Sequence, residues 1–190
     1  MIELSAVFWL LVLLFGIIGL MRGWVREIQA TAAAVLALFI IEQISPFVWT
    51  VLVQRTSAEL LQADPLGTLR RLVMLKSAIL LIVVFFGYQG PVLVQLAAGG
   101  RTGANKARDT IQEGVLGLLV GLINGYLIIG SLWWFLHVAQ YPFDWLIDPR
   151  NFPESASAAF IKFLPLAWMA SPWLEILVVV FFLIVIVAVI

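Results

Sequence analysis

Several residue types on which catalytic and metal sites depend are scarce in this chain. Of its 190 residues none is cysteine, and His137 is the single histidine. The lack of cysteine excludes disulfides, thiolate metal sites and a cysteine nucleophile. One histidine cannot build the multi-imidazole sites that bind zinc and related metals. The sequence therefore predicts no metal-binding residues and no cofactor.

Charged residues are also scarce, at 12% of the chain, whereas soluble domains carry about 25%. The 11 basic and 11 acidic residues cancel, which argues against the basic surface that nucleic acid requires. Hydrophobic residues make up 63%, and the mean hydropathy is +1.09. Such a chain cannot cover a soluble surface, so the lipid bilayer must be its main solvent. We expect one integral membrane domain over residues 1–190.

Five apolar runs predict an all-α, multi-pass transmembrane helical bundle. About 20 residues rising about 1.5 Å each cross a hydrocarbon core of about 30 Å. The predicted spans cover residues 4–21, 25–43, 72–88, 114–136 and 173–190. Two mixed segments, residues 47–71 and 153–165, predict amphipathic helices at the membrane interface. For residues 47–71 an ordinary loop with buried anchors is the alternative.

A charged, glycine-containing turn separates the first two spans. It contains the motif residues Gly19, Arg22, Gly23, Arg26 and Glu27. The two arginines favour a role in fixing the orientation of a short turn in the membrane. The alternative is an ion pair between Glu27 and a basic residue elsewhere. The basic loop 101–108 is the favoured source of that residue, and Arg22, five positions away, is a weaker candidate.

The fourth span carries the clearest packing signal in the chain. Gly117, Gly121 and Gly125 recur every four residues and line one helix face, where small residues permit close helix contact. We expect this face to pack against the turn at Gly19. Asn124 lies near the middle of the span, where a buried amide needs a partner. An interhelical hydrogen bond is favoured over a transport site.

The distribution of basic residues predicts an orientation. The connections around residues 22–26 and 101–108 are short and dense in arginine and lysine, which is typical of cytoplasmic loops. Six of the eight tryptophans belong to the membrane face opposite these two connections. The N-terminus is then outside and the C-terminus cytoplasmic. Because the chain starts without a basic signal region, we expect the first helix to be retained.

Two carboxylate pairs at helical spacing are candidate catalytic groups. Asp109 and Glu113 are better explained as acidic residues at a helix N-terminus, where the macrodipole favours them. Asp144 and Asp148 lie among prolines that favour a loop, and His137 is interpreted as an interfacial residue. The sequence therefore predicts no catalytic residue and no enzyme.

The turn motif resembles that of the CvpA (colicin V production protein) family of small bacterial inner-membrane proteins. The matching residues are Gly19, Arg22, Gly23, Arg26 and Glu27. A second family motif, an Asp-Arg pair leading into a glycine-spaced span, is matched by the stretch from Glu113 to Gly125. Here Glu113-Gly114 replaces the pair, and Asn124 replaces an arginine. A fifth span is added after the four that are usual in the family.

The resemblance implies a plasma-membrane location and an association with colicin V (toxin) production or export, without a defined catalytic site. The small-residue packing faces and the apolar last span favour a scaffold or accessory subunit of a membrane complex. Its partners would be the bilayer and other membrane subunits or further copies of the chain. A small oligomeric channel or transporter is the alternative, and no small-molecule substrate is indicated.

Overall fold

The computed structural model describes residues 3–50, 64–89, 106–146, 148–169 and 172–189. Within these residues the chain is all-α, as predicted, and contains no strand. Two 3-10 helices, Pro149–Asn151 and Ile161–Phe163, accompany the α-helices. In chain order the α-helices are α1 Leu4–Arg22, α2 Trp24–Trp49, α3 Pro65–Gln89, α4 Lys106–Val138, α5 Ala156–Phe160, α6 Pro165–Trp168 and α7 Trp173–Val189.

Among the described residues, three segments are long and apolar enough to cross a membrane. They are Leu4–Arg22, Trp24–Phe47 and Ile111–Val138, in α1, α2 and α4. The other two predicted spans correspond to α3, which carries Arg70, Arg71 and Lys76 in its first half, and to α7. A count of five spans therefore stays a prediction.

The interfacial segment predicted over residues 47–71 is divided differently in the structure. Its start belongs to α2, which continues past Pro46, and its end belongs to α3. The hydroxyl of Ser45 bonds the carbonyl of Ile41, four residues earlier, at 2.6 Å. Asp64 Oδ1 accepts from the Gly67 amide at 2.7 Å, so α3 starts at Pro65. Residues 51–63 lie outside the described residues.

The contacts between the long helices show their relative directions and define two ends of the bundle. Contacts between α1 and α4 run from Phe8 beside Gly130 to Gly19 beside Gly117, so these helices are antiparallel. We call the end formed by residues 19–27 the hairpin end. The opposite end, which carries residues 139–146 and 148–169, is the loop end. Short helices in the predicted interfacial segment 153–165 lie at this loop end.

Glycines bring α1 and α4 into backbone contact along what we call the glycine seam. A Cβ at Gly117 would collide with the carbonyl oxygen of Gly19. One at Gly121 would lie 2.5 Å from the carbonyl oxygen of Phe15, and one at Gly125 would lie 2.9 Å from the Cα of Val12. Side chains larger than hydrogen therefore cannot occupy these positions without separating the helices.

Small residues on α2 allow the other long helices to approach it. Ala30, Ala34 and Ala37 are fully buried. Gly87 of α3 packs directly against Ala33, so that a Cβ there would overlap the alanine methyl group. Helix α7 packs on α2 and buries Leu174 completely, while several of its large side chains stay exposed.

The start of α1 is fixed at the loop end by the short helix α5. The backbone amide of Ser5 donates to the hydroxyl of Ser157 at 3.1 Å. This bond supplies an acceptor for one of the amides that a helix leaves unpaired in its first turn. Phe160, on the same short helix, stacks on Trp133 of α4 with ring centroids 5.9 Å apart. Residues 156–160 thus tie α1 to α4 far from the glycine seam.

The glycine seam predicts opposite effects of two alanine substitutions on α4. In Gly117→Ala the new methyl group meets backbone, which cannot move independently, so we expect a loss of about 1–3 kcal/mol in stability. In Gly114→Ala its closest contact is the flexible side chain of Leu20 at 3.3 Å, and the Leu20 carbonyl oxygen at 3.6 Å is in ordinary contact, so the gain in helix propensity should dominate. Thermal unfolding in detergent measures both. Equal melting temperatures for the two variants would contradict close backbone contact between α1 and α4 at Gly117.

Candidate functional site

Polar side chains from four helices meet at the hairpin end of the bundle. Arg22 ends α1, Glu27 and Thr31 lie in the first turns of α2, Tyr88 lies near the end of α3, and Asn124 lies within α4. We call these five residues the Glu27 node. They are joined by hydrogen bonds between helices whose contacts are otherwise mostly apolar, so the node is the candidate functional site.

Glu27 occupies the centre of the node. Its side chain has no exposed surface, and neither has that of Asn124. The Asn124 amide nitrogen donates to Glu27 Oε2 at 2.8 Å and to the Glu27 carbonyl at 2.9 Å. The Tyr88 hydroxyl donates to the same Oε2 at 3.1 Å. A carboxylate in an apolar interior requires such donors, because it has lost its hydration.

Thr31 completes the bonding of Asn124. Its hydroxyl lies 2.7 Å from Asn124 Oδ1 and 2.9 Å from the Glu27 carbonyl. One hydroxyl proton serves these two acceptors, and the amide oxygen is the nearer. This bond orients the amide so that its nitrogen faces Glu27.

Arg22 supplies the positive charge of the node. Its Nη1 lies 3.5 Å from Glu27 Oε1, an ion-pair distance without hydrogen-bond geometry. Its Nη2 donates to the Tyr88 carbonyl at 2.8 Å, and its guanidinium lies 4.3 Å from the centre of the Tyr88 ring. A hydrogen bond and a cation–π contact thus hold the end of α3 against the turn.

A single glycine produces the geometry that joins Arg22 to Glu27. Gly23 has a φ of +81°, which residues with a Cβ rarely adopt. Its amide bonds the Gly19 carbonyl at 2.9 Å and closes α1, and α2 starts at the next residue. The chain reverses here, so the spacing rules of one continuous helix do not apply. Among the described residues, Arg22, the weaker candidate from the sequence, forms the ion pair with Glu27.

The other residues singled out in the sequence have different surroundings. Gly19, Gly117, Gly121 and Gly125 form the glycine seam beside the node. Arg26 is exposed, and in the described part of the chain it forms no hydrogen bond or ion pair with the node. The basic loop, favoured as the source of a partner for Glu27, falls on residues 101–105, outside the described residues, and on 106–108, whose side chains are not described.

Thr31 and Tyr88 were missed by the sequence reasoning. Thr31 lies four residues after Glu27, on the same helix face, and this spacing is a local signal that could have identified it. Tyr88 is 61 positions from Glu27, and only the packing of α3 on α2 brings the two together.

A second polar cluster shapes the loop end. Arg150 donates to both carboxylate oxygens of Asp148 and to the Gln140 carbonyl. Gln140 and Tyr141 have φ values of 60° and 52°, a left-handed conformation that is unfavourable for such residues and ends α4 sharply. The Trp133 indole donates to the Tyr141 hydroxyl at 3.1 Å and helps to hold this turn.

The titration of this second cluster follows from burial and charge. Burial raises the pKa of Tyr141 to about 12. Hydrogen bonds from Arg150 lower the pKa of Asp148 below its ordinary value. The tyrosine therefore stays neutral and the aspartate charged near neutral pH, which suits a fixed structural role.

Asp144 and Asp148, one of the two carboxylate pairs considered from the sequence, each pair with an arginine and not with each other. Asp144 pairs with Arg70 of α3 at 2.9 Å, and Asp148 pairs with Arg150 at 2.6 Å. His137 Nδ1 lies 3.4 Å from the Tyr141 hydroxyl and is part of the same cluster. The side chain of Asp109 is not among those described.

Comparison with known proteins identifies the family. A family profile described as Colicin V production protein matches residues 4–170, which is most of the chain. The chain belongs to the colicin V production protein family. No curated protein and no solved structure matches it. Membership supports a membrane protein associated with colicin V production. The matched range includes the glycine seam and all five residues of the Glu27 node.

The node predicts non-additive effects of two substitutions. Asn124→Leu leaves the buried Glu27 carboxylate without its shortest hydrogen bond, so we expect a loss of about 3–5 kcal/mol. Glu27→Met combined with Asn124→Leu removes charge and amide together and should restore most of that stability. Thermal unfolding in detergent gives both values. The control is Ile123→Leu, which alters the exposed neighbour of Asn124. Additive losses in the double variant would contradict a coupled node.

Proposed function

We propose that this member of the colicin V production protein family is a non-catalytic scaffold or accessory subunit of a membrane complex. The observation that carries the proposal is the complete enclosure of Glu27 and Asn124. A residue that acts on a substrate must be reachable by it. These two side chains are instead bonded to each other and to Thr31 and Tyr88. Such bonding supports a role in holding helices together.

The outer surfaces of the bundle supply the sites for partner subunits. Residues on the outward sides of α1, α3 and α7 are large and apolar, for example Met21 at 82% and Phe86 at 68% exposure. In a bilayer these surfaces contact lipid or another protein. The partners in this proposal are other membrane subunits or further copies of the chain.

Site-specific photo-crosslinking tests the scaffold proposal. A photoreactive residue replaces Phe86 on α3 or Leu10 on α1, both exposed, or the fully buried Leu80 as a control. We expect discrete protein adducts from at least one exposed position and none from position 80. Absence of protein adducts from every exposed face, together with a monomer in mild detergent, would contradict the proposal.

A small oligomeric channel or transporter is the second candidate, and one observation favours it. Among the described residues, Oε1 of Glu27 accepts no hydrogen bond, and its nearest charge is Arg22. Ionisable groups within membrane segments often mark ion pathways. Ion flux through proteoliposomes that disappears in Glu27→Gln would favour this function over a scaffold.

We also propose that the chain lies in the bacterial inner membrane with its hairpin end in the cytoplasm. The N-terminus, at the loop end, is then outside, and α7 returns the chain toward the cytoplasm. The basic residues of the turn, Arg22 and Arg26, support this orientation, since short cytoplasmic loops are enriched in arginine and lysine.

Single cysteines test the orientation cleanly, because the chain has none of its own. Trp24→Cys places a thiol at the hairpin end, and Trp145→Cys places one at the loop end, where the native side chain is 78% exposed. We expect an impermeant maleimide to label position 145, but not position 24, in intact cells. Both should react after the membrane is opened, and the reverse pattern in intact cells would invert the topology.

A further inference from the structure

A cavity at the loop-end side of the bundle is separate from the Glu27 node. It has a volume of about 460 Å³, is partly open, and is lined by residues of α2, α3, α4 and α6. This size lies within the range of pockets that bind small molecules, about 300–1,000 Å³. Most of its lining is apolar, with walls that include Leu38, Trp134 and Phe135. Three polar side chains, Glu42, Ser45 and Lys76, also line it.

Glu42 and Lys76 reach the cavity from facing helices at similar heights. Glu42 is fifteen residues beyond Glu27 on α2, and Lys76 is twelve residues before Tyr88 on α3. At about 1.5 Å per residue these separations are about 22 Å and 18 Å. Because Glu27 and Tyr88 are bonded to each other, the two charged groups lie near one level of the bundle.

The ammonium group of Lys76 is directed into the bundle. Its Nζ lies 5.9 Å from the ring centre of Phe135, a buried residue of α4. A lysine near a membrane surface would ordinarily extend toward the headgroups and water. Charged side chains of membrane helices that are directed into the bundle usually mark a binding site or a polar pathway.

The two opposite charges line one cavity without forming an ion pair. The ion pairs among the described residues are Arg22–Glu27, Arg70–Asp144 and Arg150–Asp148. A purely anionic ligand would be repelled by Glu42, and a purely cationic one by Lys76. A ligand with both charges satisfies both residues and leaves no net charge in the cavity.

We propose that this cavity binds an amphiphile whose head carries a phosphate and a primary ammonium, as in phosphatidylethanolamine. Lys76 donates to the phosphate, and Glu42 accepts from the ammonium. The Ser45 hydroxyl, which donates to the Ile41 carbonyl, retains acceptor capacity toward the same head. The apolar walls receive the upper part of an acyl chain. Lys76 lies about 9 Å along α3 from Arg70, which bonds the loop at Asp144, so the site is near the membrane surface.

Lipid binding to the purified full chain, followed by native mass spectrometry, tests the site. The probes are phosphatidylethanolamine, phosphatidylglycerol and phosphatidylcholine with the same acyl chains. Since a charge-assisted hydrogen bond changes affinity by about tenfold or more, we expect phosphatidylethanolamine to bind at least about tenfold tighter than the other two. Equal affinity for all three lipids would overturn the proposal.

Substitutions of Lys76 and Glu42 test which group of the lipid head each side chain contacts. Lys76→Gln should weaken binding of all three phospholipids by about tenfold, whereas Lys76→Arg should restore it. Glu42→Gln should remove the preference for phosphatidylethanolamine over phosphatidylglycerol. Lys162→Gln and Glu154→Gln, which change charges outside the cavity, are the matched controls. Because Glu42 is exposed, its variant should fold even if Lys76→Gln does not. If Glu42→Gln still prefers phosphatidylethanolamine over phosphatidylglycerol, the contact between Glu42 and the ammonium is excluded.

Soluble O-phosphoethanolamine distinguishes a lipid from a free headgroup. It carries a phosphate and a primary ammonium without acyl chains, and as a phosphate monoester it has a larger negative charge than the lipid head at neutral pH. We expect no displacement of phosphatidylethanolamine at equal concentration, because the apolar walls contribute to lipid binding. Full displacement would overturn the lipid assignment and make a small phosphorylated amine the ligand.

Discussion

The buried carboxylate of Glu27 is the constraint on which the hairpin end depends. No single neighbouring helix can satisfy it, because its donors come from Asn124 on α4 and Tyr88 on α3, and its counter-charge comes from Arg22 on α1. Leaving a buried charge without partners costs far more than a typical hydrogen bond contributes. Sliding of α1, α3 or α4 relative to α2 is therefore unfavourable, because it would separate Glu27 from these partners. The apolar surfaces alone would tolerate such sliding.

On α4, the glycines of the seam and Asn124 of the Glu27 node lie on adjacent faces of the helix. Gly117, Gly121 and Gly125 repeat every four residues and meet α1, and Asn124, one position before Gly125, is turned by about 100° from that face. This rotation directs its amide toward α2, where Glu27 and Thr31 accept and donate. Backbone contact on one side of α4 thus fixes the position of the hydrogen-bonding group on the other.

Patterns local in sequence were predictable, and contacts between distant segments were not. Apolar runs predicted the helices, and the four-residue repeat predicted the close face of α4, because both depend on neighbouring residues. Tyr88 gave no such signal, since its role exists only after α3 packs on α2. The pairing of Arg22 with Glu27 was undervalued because a helical spacing of five residues was assumed, whereas the positive φ of Gly23 breaks the helix between them. The interfacial segment predicted over residues 47–71 was wrong at both ends, because residues 47–49 continue α2 beyond Pro46 and residues 65–71 form the start of α3.

The two ends of the bundle handle intramembrane charge differently. A bilayer tolerates an ionisable side chain only when protein groups enclose it or when it lines a cavity that water or a polar ligand can enter. Glu27 follows the first solution, because its partners leave no exposed surface. Glu42 and Lys76 follow the second, because they line a cavity of about 460 Å³ instead of joining in an ion pair. Reversible binding requires an accessible group whose partner can be exchanged. The hairpin end is therefore suited to holding the helices in place, and the loop end is suited to recognising a ligand.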